Sequence, residues 1–175
     1  GEFDNSDIED PKYTPGDTDV STGSVTLTMT LGYQTPCGVA KSPMTNSDAM
    51  TLTIVENPVA NAGDDDTICE DNVPYQLDAT LEGDYASISW TSSGTGTFSS
   101  QSAENPTYNP SAADITAGSV TLTVTLEYVA PCGSTKIDSN TDNIVLTLVE
   151  NPVADAGEDF TICEDDVPYQ LVASV

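Results

Sequence analysis

The sequence predicts an all-β fold built from tandem β-sandwich repeats, and two observations carry this prediction. Residues 55–77 return almost letter for letter as residues 149–171, and residues 23–31 are echoed by residues 118–126. In addition, apolar residues alternate with threonine, a period of two that places one face of a strand in a core and the other in solvent. A repeat of about 95 residues suits a β-sandwich domain.

The period divides the chain into three parts. Residues 1–56 are expected to form the rear part of one repeat, residues 57–150 a complete repeat, and residues 151–175 the front part of the next. The array is therefore expected to continue beyond both ends, and arrays of this kind usually act through their length.

The strands expected in the complete repeat follow from the same alternation. In chain order they are residues 66–69, 75–79, 87–91, 120–128 and 144–149. Clusters of Gly, Pro, Asn, Asp and Ser between them set turns, and a single helical turn at residues 111–115 is the most helix that the pattern allows. This strand order is that of an immunoglobulin-like β-sandwich.

The expected core residues lie on the apolar faces of these strands. They are Leu77, Trp90, Leu122 and Val124. A tryptophan on the third strand of a sandwich is more often a core residue than a platform for stacking sugars, so Trp90 is assigned to the core.

The charge of the chain excludes several classes of partner. There are 29 acidic residues against 3 basic ones, and the formal net charge is −26. Such a surface repels phosphate backbones and anionic lipids, so neither a nucleic acid nor a membrane surface is expected as a partner. No apolar run is long enough to cross a bilayer, so no membrane insertion is expected in this segment. High negative charge also keeps crowded polymers soluble and attracts cations.

The acidic residues concentrate around two short links, residues 56–58 and 150–152, where proline ends strand pairing and limits freedom between neighbouring repeats. Calcium prefers several carboxylate and carbonyl oxygens, so a calcium site at the links is one interpretation. Its candidate ligands are Glu56, Asp64, Asp65, Asp66, Glu150, Glu158 and Asp159. The acidic residues nearby are Glu70, Asp71, Asp155, Glu164, Asp165 and Asp166. The alternative is a solvated acidic surface, since the Asp-x-Asp-x-Asp-Gly calcium loop is missing.

The four cysteines, Cys37, Cys69, Cys132 and Cys163, occupy positions locked to the repeat. Without His or a Cys-x-x-Cys pair, zinc is disfavoured, and disulfides formed in an oxidising compartment are expected, with buried free thiols as the alternative. Three connectivities respect the repeat. Cys69 bonds Cys132 within a repeat; or Cys37 bonds Cys69 while Cys132 bonds Cys163; or Cys69 bonds the Pro-Cys-Gly of the following repeat. The immunoglobulin-like strand order favours the third.

An enzymatic function is not expected. The chain has no His, so Ser-His and Cys-His nucleophile pairs are unavailable. Paired carboxylates could hydrolyse glycosides, but the acidic residues recur with the repeat, whereas a catalytic cleft is expected once. No Gly-rich phosphate loop follows a strand and opens a helix.

Four segments of the chain carry a family resemblance: residues 57–69, 89–98 and 105–123 and the Pro-Cys-Gly at 131–133. These segments resemble the tandem Ig-like and PKD-like repeats of giant Bacteroidota cell-surface adhesins, the SprB-like gliding-motility adhesins among them. The resemblance implies export by the type IX secretion system and display as a filament on the outer cell surface.

Two functions follow as expectations. The first is a structural stalk whose partners are the neighbouring repeats of the same chain. The second is an array of modules that bind extracellular polysaccharide or another surface with avidity. A binding array should vary its loops around exposed aromatic residues, but the variable segments 38–48 and 133–142 contain none. The sequence therefore favours the stalk.

Overall fold

The computed structural model describes residues 1–32, 46–133, 138–165 and 168–174. Strands dominate these residues, and the only regular helices among them are short. The prediction of an all-β fold is therefore confirmed.

The secondary-structure elements follow one another with short connections. The strands are β1 (Glu2–Phe3), β2 (Tyr13–Thr14), β3 (Ser24–Thr30), β4 (Ser47–Thr53), β5 (Val59–Asn61), β6 (Asp66–Cys69), β7 (Tyr75–Gln76), β8 (Thr80–Glu82), β9 (Tyr85–Ser92), β10 (Thr97–Phe98), β11 (Thr107–Asn109), β12 (Ser119–Tyr128) and β13 (Thr141–Val149). The helices are α1 (Asp17–Thr22), α2 (Ala112–Ala117) and a 3-10 helix (Asp138–Asn140).

The strands form two larger sheets and three two-stranded ones. The four-stranded sheet has the order β6-β13-β12-β9, and the three-stranded sheet has the order β10-β11-β7. The pairs are β1 with β2, β3 with β4, and β5 with β8. Strand β6 runs parallel to β13, with Asp66 opposite Leu146 and Cys69 opposite Val149.

The chain divides into two compact units, which do not coincide with the sequence repeats. The first comprises residues 1–60, 81–88 and 126–141, and the second comprises residues 61–80, 89–125 and 142–175. In the first unit, β3 and β4 pair antiparallel from Ser24 opposite Thr53 to Thr30 opposite Ser47. The apolar side chains Met29, Leu31 and Met50 of this unit are exposed.

The core of the second unit lies on the four-stranded sheet. Along β12, Val120, Leu122 and Val124 are at most 2% exposed, and Thr121, Thr123 and Thr125 between them remain partly accessible. Strand β13 buries every second residue in the same way, at Ile144, Leu146 and Leu148. The alternation of apolar residues with threonine thus produces the expected division between core and solvent.

Aromatic rings join the four-stranded and three-stranded sheets. Trp90 of β9 is fully buried, and its ring centroid lies 6.0 Å from that of Phe98 of β10. Phe98 in turn lies 4.9 Å from Tyr108 of β11. Both distances fall in the range in which aromatic pairs attract each other beyond simple burial.

Two local predictions were wrong. The strand expected at residues 75–79 is only Tyr75–Gln76. Leu77 is buried as expected. The strand ends before Ala79, because the amide of Ala79 donates to the side-chain Oδ1 of Asn105 at 2.6 Å and not to a neighbouring strand. The helix at Ala112–Ala117 is longer than one turn, because Ser111 at its N-cap accepts a hydrogen bond from the amide of Asp114.

The sequence repeat recurs as local geometry. Phe3 is paired with Tyr13 across β1 and β2, and its ring lies 5.0 Å from the tyrosine ring, as in the pair of Phe98 with Tyr108. The amide of Ile54 donates to the carbonyl of Gly23 at 2.9 Å, and Leu148 donates to Gly118 at the same distance. Equivalent residues therefore make equivalent contacts in both compact units.

Leu126→Ala is expected to destabilise the protein by about 2–5 kcal/mol, because Leu126 is fully buried and its removal leaves a cavity. The measurement is urea unfolding followed by the fluorescence of Trp90, the only tryptophan in the chain. The matched control is Leu31→Ala, at the equivalent position in the preceding repeat, where the leucine is 60% exposed. Equal effects of the two substitutions would contradict the assignment of Leu126 to the core.

Candidate functional site at the inter-repeat linkers

The first linker, residues 55–58, is held by residues that follow it in the chain. The amide of Glu56 donates to Asp84 Oδ2 at 3.0 Å, and the amide of Asp84 donates back to the Glu56 carbonyl at 3.4 Å. The hydroxyl of Ser139 donates to the carbonyl of Pro58 at 2.8 Å, and the Pro58 side chain is fully buried. All of these residues lie within the first compact unit.

A glycine allows this close approach. Gly83 has a φ of +75°, and a Cβ at this position would overlap the carbonyl of Asn57 in the first linker. Glycine adopts this left-handed conformation without steric cost and leaves room for the neighbouring backbone. The turn that carries Asp84 can therefore lie directly against the first linker.

The second linker, residues 149–152, is held by residues that precede it. The amide of Asn151 donates to Glu70 Oε1 at 3.1 Å, and Asn151 Nδ2 donates to Asp71 Oδ2 at 2.6 Å. The amide of Glu70 donates to the carbonyl of Val149 at 3.0 Å. These contacts lie within the second compact unit. They follow from the parallel pairing of β6 with β13, which ends with Cys69 opposite Val149.

Several of the acidic residues proposed as calcium ligands accept hydrogen bonds from backbone amides. Asp65 Oδ1 accepts from the amide of Val145 at 2.7 Å, and Asp66 Oδ1 accepts from the amide of Thr67 at 2.7 Å. Asp155, an acidic residue near the second linker but not one of the proposed ligands, likewise accepts from the amide of Gly157. The carboxylates at these positions therefore stabilise turns and strand ends.

An open, acidic pocket is formed where Asp64, Asp65 and Asp66 come together. It is lined by Ala62, Gly63, Asp64, Asp65, Asp66, Tyr75 and Asp78. Partial burial raises the pKa of Tyr75, and the negative charge of Asp66 raises it further. Glu150, Glu158 and Asp159 are exposed and do not line this pocket.

Within the described part of the chain, no group of three or more Cys, Asp or Glu residues is arranged to hold a metal ion. Asp166 lies outside the described residues. The calcium site at the links therefore stays a prediction from the sequence.

Three of the four cysteines belong to the described residues, and all three are free thiols. Cys69 and Cys163 are exposed, and Cys132 is partly buried. The thiol of Cys132 donates to the carbonyl of Val55 in the first linker at 3.5 Å. Cys37 lies outside the described residues.

Asp114 is a structural residue that the sequence analysis missed. Its side chain is only 3% exposed, and its two carboxylate oxygens accept hydrogen bonds from four groups. The donors are the amides of Thr95, Gly96 and Ser111 and the hydroxyl of Tyr108, at 2.8–2.9 Å. The spacing Ser111-x-x-Asp114 is a helix capping pattern and was the available signal.

These hydrogen bonds decide the charge of Asp114. Burial alone raises the pKa of this carboxyl, but the hydrogen bonds from Ser111, Thr95, Tyr108 and Gly96 together hold its pKa below the usual value of 3.8. Asp114 is therefore a carboxylate in the folded protein at neutral pH.

The equivalent residue of the preceding repeat repeats this arrangement. Asp19 Oδ2 accepts from the hydroxyl of Tyr13 at 2.7 Å and from the amide of Gly16 at 2.9 Å. The backbone nitrogen of Gly1, the counterpart of the Gly96 nitrogen, lies 2.7 Å from the same oxygen. The hydrogen bonds that the Asp19 carboxylate accepts lower its pKa.

Comparison with known proteins adds no relative. No protein-family model matches the chain, and no curated protein matches it significantly. Among the described residues there is also no helix of the length and apolarity needed to span a membrane.

Glu70→Ala is expected to speed hydrogen exchange of the Asn151 amide by about fivefold to tenfold, because this amide loses an acceptor that contributes about 1 kcal/mol. The measurement is amide hydrogen exchange resolved to single residues. The matched control is Glu164→Ala, at the equivalent position in the following repeat, which should leave the exchange of Asn151 unchanged. Unaltered exchange in Glu70→Ala would show that this contact does not hold the second linker.

Asp114→Asn is expected to lower the free energy of unfolding by about 2–3 kcal/mol at pH 7, because the amide group places N–H donors opposite other donors. The measurement is urea unfolding of wild type and variant between pH 7 and pH 3. The matched control, Asn109→Asp, adds one carboxylate without removing any of the four hydrogen bonds to Asp114.

The pH dependence has a defined sign. Because the pKa of Asp114 is lower in the folded state, its contribution to stability is fully present above about pH 4 and is lost as the pH falls through the folded-state pKa. The difference between wild type and Asp114→Asn should therefore shrink toward pH 3. A difference that is constant across this range would contradict the charged, hydrogen-bonded state of Asp114.

Proposed function

We propose that this chain is a segment of a tandem repeat array that forms the extended stalk of a bacterial cell-surface adhesin. The observation that carries the proposal is that each linker is bound by side chains and not left as a free connection. The function is mechanical and not enzymatic, and the location is extracellular, on the outer cell surface.

The contacts come from opposite sides at the two linkers. Asp84 and Ser139, which hold the first linker, belong to the repeat that follows it. Glu70 and Asp71, which hold the second linker, belong to the repeat that precedes it. Because the two linkers are equivalent in sequence, we infer that every linker in the array is held from both sides.

The contacts offset part of the entropy that each linker loses when it becomes ordered. Fixing the backbone of one residue costs about 1–2 kcal/mol in conformational entropy. Each net hydrogen bond contributes about 1 kcal/mol, and burial of the Pro58 side chain adds apolar stabilisation. Proline also restricts the backbone before folding, so less entropy is lost when the linker becomes ordered. These contacts therefore favour linkers that are more ordered than a free connection would be.

We infer further that each repeat is an immunoglobulin-like β-sandwich. The four-stranded and three-stranded sheets meet through Trp90 and Phe98, as two layers of a sandwich would. The apolar residues Met29 and Leu31 are exposed, whereas their counterparts Val124 and Leu126 in the complete repeat are fully buried.

The charge of the chain fits this function. A surface with 29 acidic and 3 basic residues keeps long filaments soluble and apart, because neighbouring copies repel one another. The partners we propose are therefore the neighbouring repeats of the same chain, without nucleic acid. Adhesion to a polysaccharide or other surface would then be the task of another part of the protein.

The test uses an extended chain, which consists of residues 1–175 followed by a second copy of residues 82–150. Val175 is equivalent to Leu81, so this copy completes the last repeat with the protein's own sequence. Small-angle scattering under reducing conditions is expected to show a rod. Replacement of Glu150, Asn151 and Pro152 by glycine should lower the radius of gyration, because the second linker loses its contacts.

Two further results are informative. A rod that bends when EDTA replaces calcium would support the calcium prediction, and an unchanged rod would leave the acidic residues as backbone acceptors and solubilising charges. A freely jointed or compact particle in both buffers would contradict the stalk. In that case, binding of the extended chain to polysaccharides would test the alternative of a multivalent binding array.

A further inference from the structure

The last strand of a repeat brings one cysteine to the second linker. Cys69 ends β6 directly opposite Val149, the last residue of β13. The next amide along the chain, that of Glu70, donates to the Val149 carbonyl at 3.0 Å. The carbonyl of Val149 therefore lies one residue away from an exposed, free thiol.

The first linker brings a different cysteine to the equivalent carbonyl. Val55 is the counterpart of Val149, since Val55-Glu-Asn-Pro58 recurs as Val149-Glu-Asn-Pro152. The carbonyl of Val55 accepts a hydrogen bond from the thiol of Cys132 at 3.5 Å. Cys132 belongs to the repeat that follows the first linker, whereas Cys69 belongs to the repeat that precedes the second linker.

We propose that each pair of neighbouring repeats is joined by a disulfide between the residue equivalent to Cys69 in one repeat and the residue equivalent to Cys132 in the next. By sequence equivalence, the valine that lies opposite Cys69 in β13 corresponds to the valine whose carbonyl accepts the hydrogen bond from Cys132. The inference rests on the proposed function in one respect, that the repeats continue in tandem.

Each cysteine lies close to the carbonyl of the valine at its linker. The amide next to Cys69 lies 3.0 Å from the valine carbonyl oxygen, and the Cys132 sulfur lies 3.5 Å from the equivalent oxygen. A disulfide requires Cα atoms about 4.4–6.8 Å apart, so the two cysteines must lie beside the same stretch of backbone. Their contacts with equivalent valines favour the third of the connectivities left open by the sequence.

The free state of the cysteines agrees with this pairing. Cys69, Cys132 and Cys163 are all free thiols here, although Cys69 and Cys132 belong to the same sequence repeat. Under the proposal, the partner of Cys69 follows residue 175 and the partner of Cys132 precedes residue 1. The described cysteines then have no partner for this bond within the chain.

The bond forms by thiol–disulfide exchange with a small-molecule or protein disulfide as oxidant. The thiolate of one cysteine attacks a sulfur of the oxidant, forms a mixed disulfide and releases one thiol. The thiolate of the second cysteine then attacks the protein sulfur of the mixed disulfide and releases the second thiol. Two protein thiols are oxidised, one disulfide is reduced to two thiols, and the two protons from the cysteines go to the departing thiolates.

The extended chain contains one complete junction pair, Cys69 and the appended copy of Cys132. We expect oxidation by glutathione disulfide to join these two residues and to leave the other cysteines free. The measurement is peptide mapping by mass spectrometry without reduction, after blocking of the remaining thiols. Cys69→Ser should abolish the cross-linked peptide, and the matched control Cys163→Ser should retain it.

Other results would overturn the proposal. They are a bond between Cys69 and Cys132 of the same repeat, a bond from Cys163 to the appended cysteine, or no cross-link after oxidation. Because the scattering test is made under reducing conditions, a rod that does not form this cross-link would refute the disulfide alone. A freely jointed particle would refute the stalk, whatever cysteines are joined.

Discussion

The parallel pairing of β6 with β13 determines the contacts of the second linker. It places the end of an early strand of the repeat beside the point where the chain leaves the repeat, with Cys69 opposite Val149. Glu70 and Asp71 follow β6 directly, so their carboxylates meet the departing backbone at Asn151. An antiparallel or shifted register would carry these acidic residues away from the second linker.

A buried acid serves a comparable purpose inside the repeat. The carboxylate of Asp114 collects hydrogen bonds from the turn at Thr95 and Gly96, from the start of α2 and from Tyr108. It thereby ties the turn at Thr95 and Gly96 and the start of α2 to Tyr108 of the three-stranded sheet. In both places acidic side chains accept hydrogen bonds from backbone amides. This role gives them a structural reason to recur with the repeat, as Glu70 and Asp71 do at Glu164 and Asp165.

Much of the fold could be predicted from the sequence, because alternation of apolar residues with threonine reports directly on burial. The strands around Leu122 and Leu146 were found in this way, and Trp90 is fully buried as expected for the core. The strand after Tyr75 was overestimated, since a side-chain partner, Asn105, takes the place of a neighbouring strand. The contacts of Glu70 and Asp84 could not be predicted, because they depend on strand register and on a close backbone approach at Gly83.

The direction of β6 relative to β13 also has a mechanical meaning. In the proposed stalk, tension along the array would enter a repeat near the beginning of β6 and leave it at the end of β13. In a parallel pair these points lie at opposite ends, so the strands must slide past each other and the hydrogen bonds between them share the force in shear. In an antiparallel pair loaded at one end, the hydrogen bonds would instead break one after another from that end. The parallel pairing of β6 with β13 would therefore let each repeat of the proposed stalk resist stretching.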